Sequence, residues 1–371
     1  MKNKLLLVTC FLGASAAPAL SQTAAPEKQT TPDTATTVSY GAFVDSYYAF
    51  DFNRPGNFDR AFTTQPARHN EFNVNLAYVE AKVSGARVRG RLALQAGTSV
   101  QSNYSGEPAI GAVSGASLSR FIQEAVAGYR ITPSLWVDGG IFLSHIGMET
   151  FISRDNLTYT RSLSADFTPY YESGAKLTWQ ESPEVTATFV VMNGWQNISE
   201  NNADKSVGLR IDYAHSSQTT LSYYNFVGKE NTTSSLRAFN GVGLKTSLTP
   251  ALTVQGNVDY GIQDRESGGR SKWYSGALVA KVQASPLVGI SGRVEEYRDP
   301  DQVIIVTGTD AGFKGTTASL GLDISPLGTN RVLWRNELRG TWTSDPVFPR
   351  SSATSFSKDN YVLVTSLGLT F

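Results

Sequence analysis

The chain has 371 residues with 32 basic against 32 acidic side chains, only 17% charged residues, and 16 Tyr, 18 Phe, 6 Trp and 33 Gly. The charge balance leaves no basic excess for nucleic acid and no acidic tail. Beyond the N-terminus no apolar run reaches the length of a spanning helix, so membrane insertion would have to use strands, and this composition suits a barrel that is apolar outside and polar inside.

In chain order, Lys2 and Lys4 form a basic start, Leu5 to Ala14 a short apolar core, and Ala19-Leu20-Ser21 a small-residue cleavage site. Residues 1–21 therefore read as a secretory signal cut before Gln22. Its core is about half the ~20 residues a membrane anchor needs. The single cysteine, Cys10, falls within it, so the mature chain is expected to carry no disulfide, no thiol nucleophile and no cysteine ligand. Residues 22–37, rich in Thr, Ala and Pro, cannot bury a core and read as a flexible periplasmic leader. Residues 38–371 are left as one unit.

From Val38 onward the hydrophobic period is two. In Arg87–Ala96, Arg87, Arg89, Arg91 and Gln95 share one face, while Val88, Leu92, Leu94 and Ala96 share the other. A helix would spread these arginines around its surface, whereas a strand stacks them in a column. Sixteen such segments are predicted, near 38–50, 70–83, 87–97, 119–131, 135–144, 170–180, 184–193, 205–213, 218–228, 237–248, 251–262, 272–284, 287–297, 316–325, 331–342 and 360–371. Most match the ~9–11 residues of a tilted strand crossing a bilayer. Short turns such as Ser84-Gly85-Ala86, Thr132-Pro133-Ser134 and Thr249-Pro250 alternate with longer connections at 51–69, 98–118, 145–169, 194–204, 229–236, 263–271, 298–315 and 343–359. The pattern predicts an all-β transmembrane antiparallel up-and-down barrel of about sixteen strands, with tight periplasmic turns and external loops. Tyr171, Trp179, Tyr213, Tyr260, Trp342 and Tyr361 near segment ends are candidates for interfacial girdles.

The stretches Asn156–Leu163 (NLTYTRSL), Pro169–Lys176 (PYYESGAK), Asn193–Asn197 (NGWQN), Gly41–Tyr48 (GAFVDSYY) and Phe72–Leu76 (FNVNL) resemble the β-barrel porin-2 family described as OmpL-like. The resemblance spans about Val38 to Phe371 and implies an outer-membrane pore, without implying a solute. Phe371, with Leu369, Leu367 and Tyr361 on one face, resembles the C-terminal signal read by the barrel-assembly machinery of Gram-negative bacteria.

A sixteen-stranded barrel is wide enough for an aqueous channel. The inward faces predict a pore lining of Arg87, Arg89, Arg91, Glu124, Asp138, Glu172, Lys176, Arg210, Asp212, Asp259, Arg293, Glu295, Arg335, Glu337 and Arg339, with Arg130 and Asp323 on the same faces. Their near balance predicts weak ion selectivity. The Arg87/Arg89/Arg91 column reads either as a basic strip along the pore wall or as lumen arginines paired with carboxylates on neighbouring strands. The connection 145–169 occupies the place of the inward loop of general sixteen-stranded porins, by which analogy Glu149, Arg154, Asp155, Arg161 and Asp166 would line a constriction; the other reading is an external lid. Only three histidines occur, with no Gly-x-Ser-x-Gly elbow and no metal-spaced cluster, so no catalytic role and no cofactor are expected. The expected function is passive diffusion of small hydrophilic solutes and ions. A plugged or adhesive barrel is the alternative, with a barrel hydrolase third. Expected partners are outer-membrane lipid and lipopolysaccharide, the assembly machinery through Phe371, and further copies in a homotrimer.

Overall fold

The computed structural model describes residues 35–230, 235–352 and 354–371. The expected signal, and the leader up to residue 34, lie outside the described residues. Sixteen antiparallel strands close into one barrel. They are β1 (Thr37–Asp51), β2 (Phe72–Ser84), β3 (Val88–Ala96), β4 (Ile122–Thr132), β5 (Leu135–Leu143), β6 (Tyr171–Trp179), β7 (Val185–Met192) and β8 (Ser206–Ala214). They continue with β9 (Thr219–Glu230), β10 (Ser235–Thr249), β11 (Leu252–Asp264), β12 (Arg270–Ser285), β13 (Val288–Asp299), β14 (Phe313–Ile324), β15 (Val332–Thr343) and β18 (Asp359–Thr370). Two short strands, β16 (Phe348–Pro349) and β17 (Phe356–Ser357), form a separate hairpin within the last long connection. Each barrel strand pairs with its neighbours in sequence, β15 pairs with β18, and β18 closes onto β1. Closure leaves no edge, so the backbone groups a bilayer could not solvate are satisfied within the sheet.

The pleat sorts the side chains. In β13, Ile290 and Val294 face out, at 49% and 56% exposure, and the alternate residues Ser291, Arg293, Glu295, Tyr297 and Asp299 are buried inside. Trp179, Tyr213, Tyr260, Trp342 and Tyr361 are exposed at strand ends, as a girdle requires. Tyr171 departs from that expectation. It is buried because the connection 97–121 folds over it, where its ring stacks on Tyr104 at 4.1 Å and its hydroxyl donates to Glu107 at 2.8 Å.

Two bulges shift the alternation. Opposite Asp45 and Ser46 the extra residue is Asn75, and opposite Ala93 and Leu94 it is Gln123. Each bulge turns two consecutive residues inward, Asn75 with Leu76 and Gln123 with Glu124, all four buried. The connection expected at 263–271 is shortened to 265–269, because β11 runs to Asp264 and β12 starts at Arg270, and β9 and β10 reach Glu230 and Ser235, past their expected ends. The expected last loop at 343–359 carries the β16–β17 hairpin instead of being plain loop.

Candidate functional site

The inner wall would be wet in an empty cylinder, yet here most of it is buried. The cause is the connection 144–170, called L3, which enters the lumen and crosses it twice. At its base Ser144 Oγ donates to Glu172 Oε1 at 2.6 Å, and His145 Nδ1 lies 2.8 Å from the same oxygen. His145 Nε2 lies 2.7 Å from the Asn225 carbonyl on β9, so this one ring bridges from β6 to β9. It rests on Gly208, where a Cβ would collide with the imidazole. Met148 rests in the same way on Gly243. Arg210 fixes the first crossing by donating to the carbonyls of His145 at 3.0 Å and Gly147 at 2.9 Å.

L3 then meets the opposite wall. Ser153 Oγ donates to Asp45 at 2.7 Å, and Arg335 donates to the Ser153, Asn156 and Leu157 carbonyls at 2.7, 3.2 and 3.1 Å. Arg154 reaches Thr370 at 2.7 Å and Tyr78 at 3.0 Å. On the return, Arg293 donates to Thr158 Oγ1 and Thr160 Oγ1, both at 2.8 Å, and Glu337 accepts the Thr160 N–H at 2.7 Å. Glu295 accepts the Leu163 N–H at 2.5 Å, and Arg339 donates to the Arg161 carbonyl at 3.1 Å. A loop with this many backbone groups away from water must have each one answered. The wall charges answer them, and they also pair with one another, Arg293 with Glu295 and Glu337, and Arg339 with Glu295. Apolar contacts flank the loop: Ile146, Met148 and Leu163 join Phe142, Val190 and Met192, and Phe151 and Ile152 join Phe43, Leu76 and Tyr78.

The residues expected to line a pore therefore divide. Glu124, Asp138, Glu172, Arg210, Asp259, Arg293, Glu295, Asp323, Arg335, Glu337 and Arg339 face inward but are buried under L3 or against neighbouring side chains. Asp259, for example, accepts from Tyr224 and Asn257 at 2.8 Å each. Glu149, Arg161 and Asp166 are likewise buried and brace the loop, Glu149 through the Ser162 N–H at 2.8 Å and Asp166 through Tyr170 at 2.6 Å. These are corrections to a simple lining. Alternation reports which way a side chain points, but not what folds in to cover it.

Solvent is retained mainly along β2–β4 towards the short turns. Arg89 pairs with Asp138 at 2.6 Å, and Arg91 with Glu80 at 2.6 Å and with Glu124. The Arg89 and Arg91 side chains keep 25% and 16% exposure, against 0% for Arg293. Arg130 donates to the Pro133 carbonyl at 3.0 Å, Lys176 sits 4.7 Å over the Phe142 ring, Asp212 pairs with Arg210 at 2.8 Å, and Asp323 with Arg335 at 2.9 Å. Arg154 and Asp155, 3.5 Å apart, are the charged part of L3 that stays partly exposed. The sequence reading missed Asp45, Glu80, Lys82, Lys245, Lys281 and Arg237. Lys245, Lys281 and Arg237 sit at inward positions that the same alternation marks, whereas Asp45 lies opposite the β2 bulge.

The family described as "Putative beta-barrel porin-2, OmpL-like" matches residues 37–371. No curated protein sequence matches the chain. Among solved structures, the chain is similar to an anion-selective porin from Comamonas acidovorans, with a TM-score of 0.59, 12% identity, and 91% of this chain and 100% of that one covered. It is similar to the outer membrane channel DcaP of Acinetobacter baumannii, with a TM-score of 0.58, 10% identity, and 92% and 99% covered. It is also similar to OmpT of Vibrio cholerae, with a TM-score of 0.57, 9% identity, and 92% and 100% covered. At such identities the likeness is one of fold. The family match carries the function: the chain belongs to the OmpL-like β-barrel porin-2 family and is a porin of the Gram-negative outer membrane, a channel for passive diffusion.

Proposed function

We propose that this channel selects solutes by charge and width, with L3 as its constriction and the β2–β4 wall as its wet side, and that it carries out no chemical step. The observation that supports this reading is the double anchoring of L3 across the lumen, which sets Asp155 near Lys82 and Arg91 on the charged wall of Lys82, Arg87, Arg89, Arg91 and Arg130. Five cations on that wall stand against the three carboxylates Glu80, Glu124 and Asp138. Selectivity is then weak and leans towards anions, because paired arginines still leave a net positive strip. Within the arginine column, Arg89 pairs with Asp138, and Arg91 with Glu80 and Glu124.

A trimer is the assembly that goes with this reading. A trimer form of Vibrio cholerae OmpT is among the structures of similar fold, with a TM-score of 0.55 and 7% identity. Phe371 would serve assembly as a terminal signal; its amide donates to the Ala42 carbonyl at 2.9 Å and its ring is exposed outward.

The test is reversal potential in a planar bilayer under a salt gradient. The parent protein should give stepwise openings with a small anion preference. Replacing Arg87, Arg89 and Arg91 by Glu should carry the reversal potential past zero to the cation side. An unmoved potential in a folded, conducting variant would remove the charged wall from the mechanism.

A further inference from the structure

We infer that the outer half of the lumen holds a binding site for an aromatic carboxylate, filled in this conformation by the protein's own Trp195. The inference rests on the channel reading above and gives it a solute class.

Arg237 on β10 is the starting point. Its side chain is buried, and its hydrogen bonds run from Nε and Nη2 to a single neutral acceptor, Gln263 Oε1, at 2.8 and 2.6 Å. No carboxylate lies within ion-pair distance of it among the described residues. The acids nearest in the electrostatic sense, Glu230 and Asp299, are already engaged. Glu230 accepts the Trp195 N–H at 3.0 Å, and Asp299 accepts those of Val303, Ile304 and Ile305 at 2.9, 2.7 and 2.8 Å. Glutamine offers an acceptor but no charge. A guanidinium removed from water without an anion is costly, and a bound anion would repay that cost.

The second observation is the ring system beside it. Phe226, Phe239 and Trp273 face inward from β9, β10 and β12 and are all buried. Phe239 and Trp273 are stacked at 6.4 Å, and Tyr224 is stacked on Phe239 at 6.4 Å. Gly241 and Gly261 let two of these rings lie on the wall: a Cβ at Gly241 would collide with Tyr224, and one at Gly261 with Trp273. Into this seat the connection 193–205, called L4, inserts Trp195, edge-on to Phe226 at 5.0 Å, to Phe239 at 5.1 Å and to Trp273 at 6.4 Å. Arg237 stands over the Trp195 and Trp273 rings at 5.3 and 5.8 Å. The seat is thus shaped for a planar ring, with an unpaired cation at its margin.

Trp195 supplies the ring but no anion. It is carried on a loop held from outside the barrel wall, where Glu107 accepts the Ile198 and Ser199 N–H groups at 3.0 and 2.6 Å. A solute that offers both parts replaces the indole with its own ring against Phe226 and Phe239, and places its carboxylate on the Nη1 side of Arg237, which the Gln263 bonds leave open. Ring contacts favour the aromatic body and the charge-assisted pair favours the acid. Neither a simple carboxylate nor a neutral aromatic satisfies both.

The test uses the full folded protein in detergent and needs no current. Benzoate, acetate and benzyl alcohol are each titrated while tryptophan emission is followed, and benzoate binding is checked by equilibrium dialysis. Benzoate should bind, with a red shift as Trp195 moves to water, and the other two should bind at least about tenfold more weakly, since one charge-assisted bond is worth that much. Arg237→Gln should lower benzoate affinity about tenfold and leave benzyl alcohol unchanged, whereas Trp195→Ala should raise benzoate affinity by removing the competitor. Heat-modifiable migration on gels reports folding, and Arg237→Lys serves where the Gln variant does not fold, retaining charge but losing the fork. Benzoate binding no tighter than acetate, or unaffected by Arg237→Gln, overturns the site. Normal conductance with absent benzoate binding defeats this inference alone, whereas a folded but electrically silent protein defeats the channel reading, so the two failures are distinguishable.

Discussion

Gly208 and His69 each set how a loop is held against the barrel. Gly208 makes room for the His145 ring, and that ring ties L3 to both Glu172 and the Asn225 carbonyl. Gly208→Val would push two methyl groups into the imidazole's place and break the second tie. Overpacking of this kind typically costs about 1–3 kcal/mol. Here the strain falls on a loop and not on the sheet, so single-channel conductance should rise while heat-modifiable folding persists; conductance equal to the parent would show that L3 does not rely on His145. The second residue is His69, whose Nδ1 accepts the Asp51 N–H at 2.9 Å. Burial holds its pKa below the ordinary imidazole value of 6.5. The unfolded chain then binds the proton more readily, so the stability from this contact is complete above pH ~6.5 and is lost as pH falls towards the lower folded value. Hydrogen exchange at the Asp51 amide, corrected for intrinsic rate, should quicken between pH 7 and pH 5; constant protection would contradict this sign.

L3 is the element on which sequence reading and structure differ most. Its entry into the lumen was one of two readings left open by position alone, and the bonds that hold it there were not legible. Arg335 and Arg293 show why. Alternation puts both inside, but their partners lie about 180 and 135 positions away in the chain, the Ser153 carbonyl for Arg335 and the Thr158 hydroxyl and Thr160 carbonyl for Arg293. Nothing local marks such a pair. By contrast, the barrel depends on the period of each strand and on turn residues between them, and these are local, so strand number and inward faces could be read directly. Bulges are the intermediate case: Asn75 and Gln123 each break the period by one residue, visible as polar positions out of phase only once the partner strand is known. The anchoring of L3 also yields a stability prediction. Arg293 is fully buried between Glu295 and Glu337, and Arg293→Ala leaves both acids without their shared partner. Removing one side of a buried ion network costs about 3–5 kcal/mol. The heat-modification midpoint should fall clearly, and an Arg293→Ala/Glu337→Gln double variant should recover part of the loss, because one stranded charge is removed.

At the scale of the whole molecule the wall has two heights. Strands β3 to β8 run 8 to 11 residues, whereas β9 to β15 run 12 to 16. On the low sector, Gly90 pairs with Ala127, Ala127 with Gly139 and Gly139 with Ala175, which sets four small outward residues in one row across β3–β6. The tall sector carries larger outward side chains at comparable depth, such as Leu278, Val294 and Leu320, at 52%, 56% and 68% exposure. Lipid needs a full apolar height and has no use for a row of small residues, whereas a neighbouring protein wall can approach closely there. In the proposed trimer the low sector faces the partner copies and the tall sector faces lipid. The two sectors should therefore answer the same substitution differently. Leu278→Arg places a charge in the lipid-facing band and should cost about 2–4 kcal/mol of barrel stability near the midplane, whatever the oligomeric state. Ala127→Trp adds bulk without charge, which lipid tolerates and a close-packed partner does not. It should leave the folded monomer intact by heat-modifiable migration and shift the native mass from trimer to monomer. A trimer that survives Ala127→Trp but is lost with the equivalent change at Gly276 on β12 would place the interface on the opposite side of the barrel.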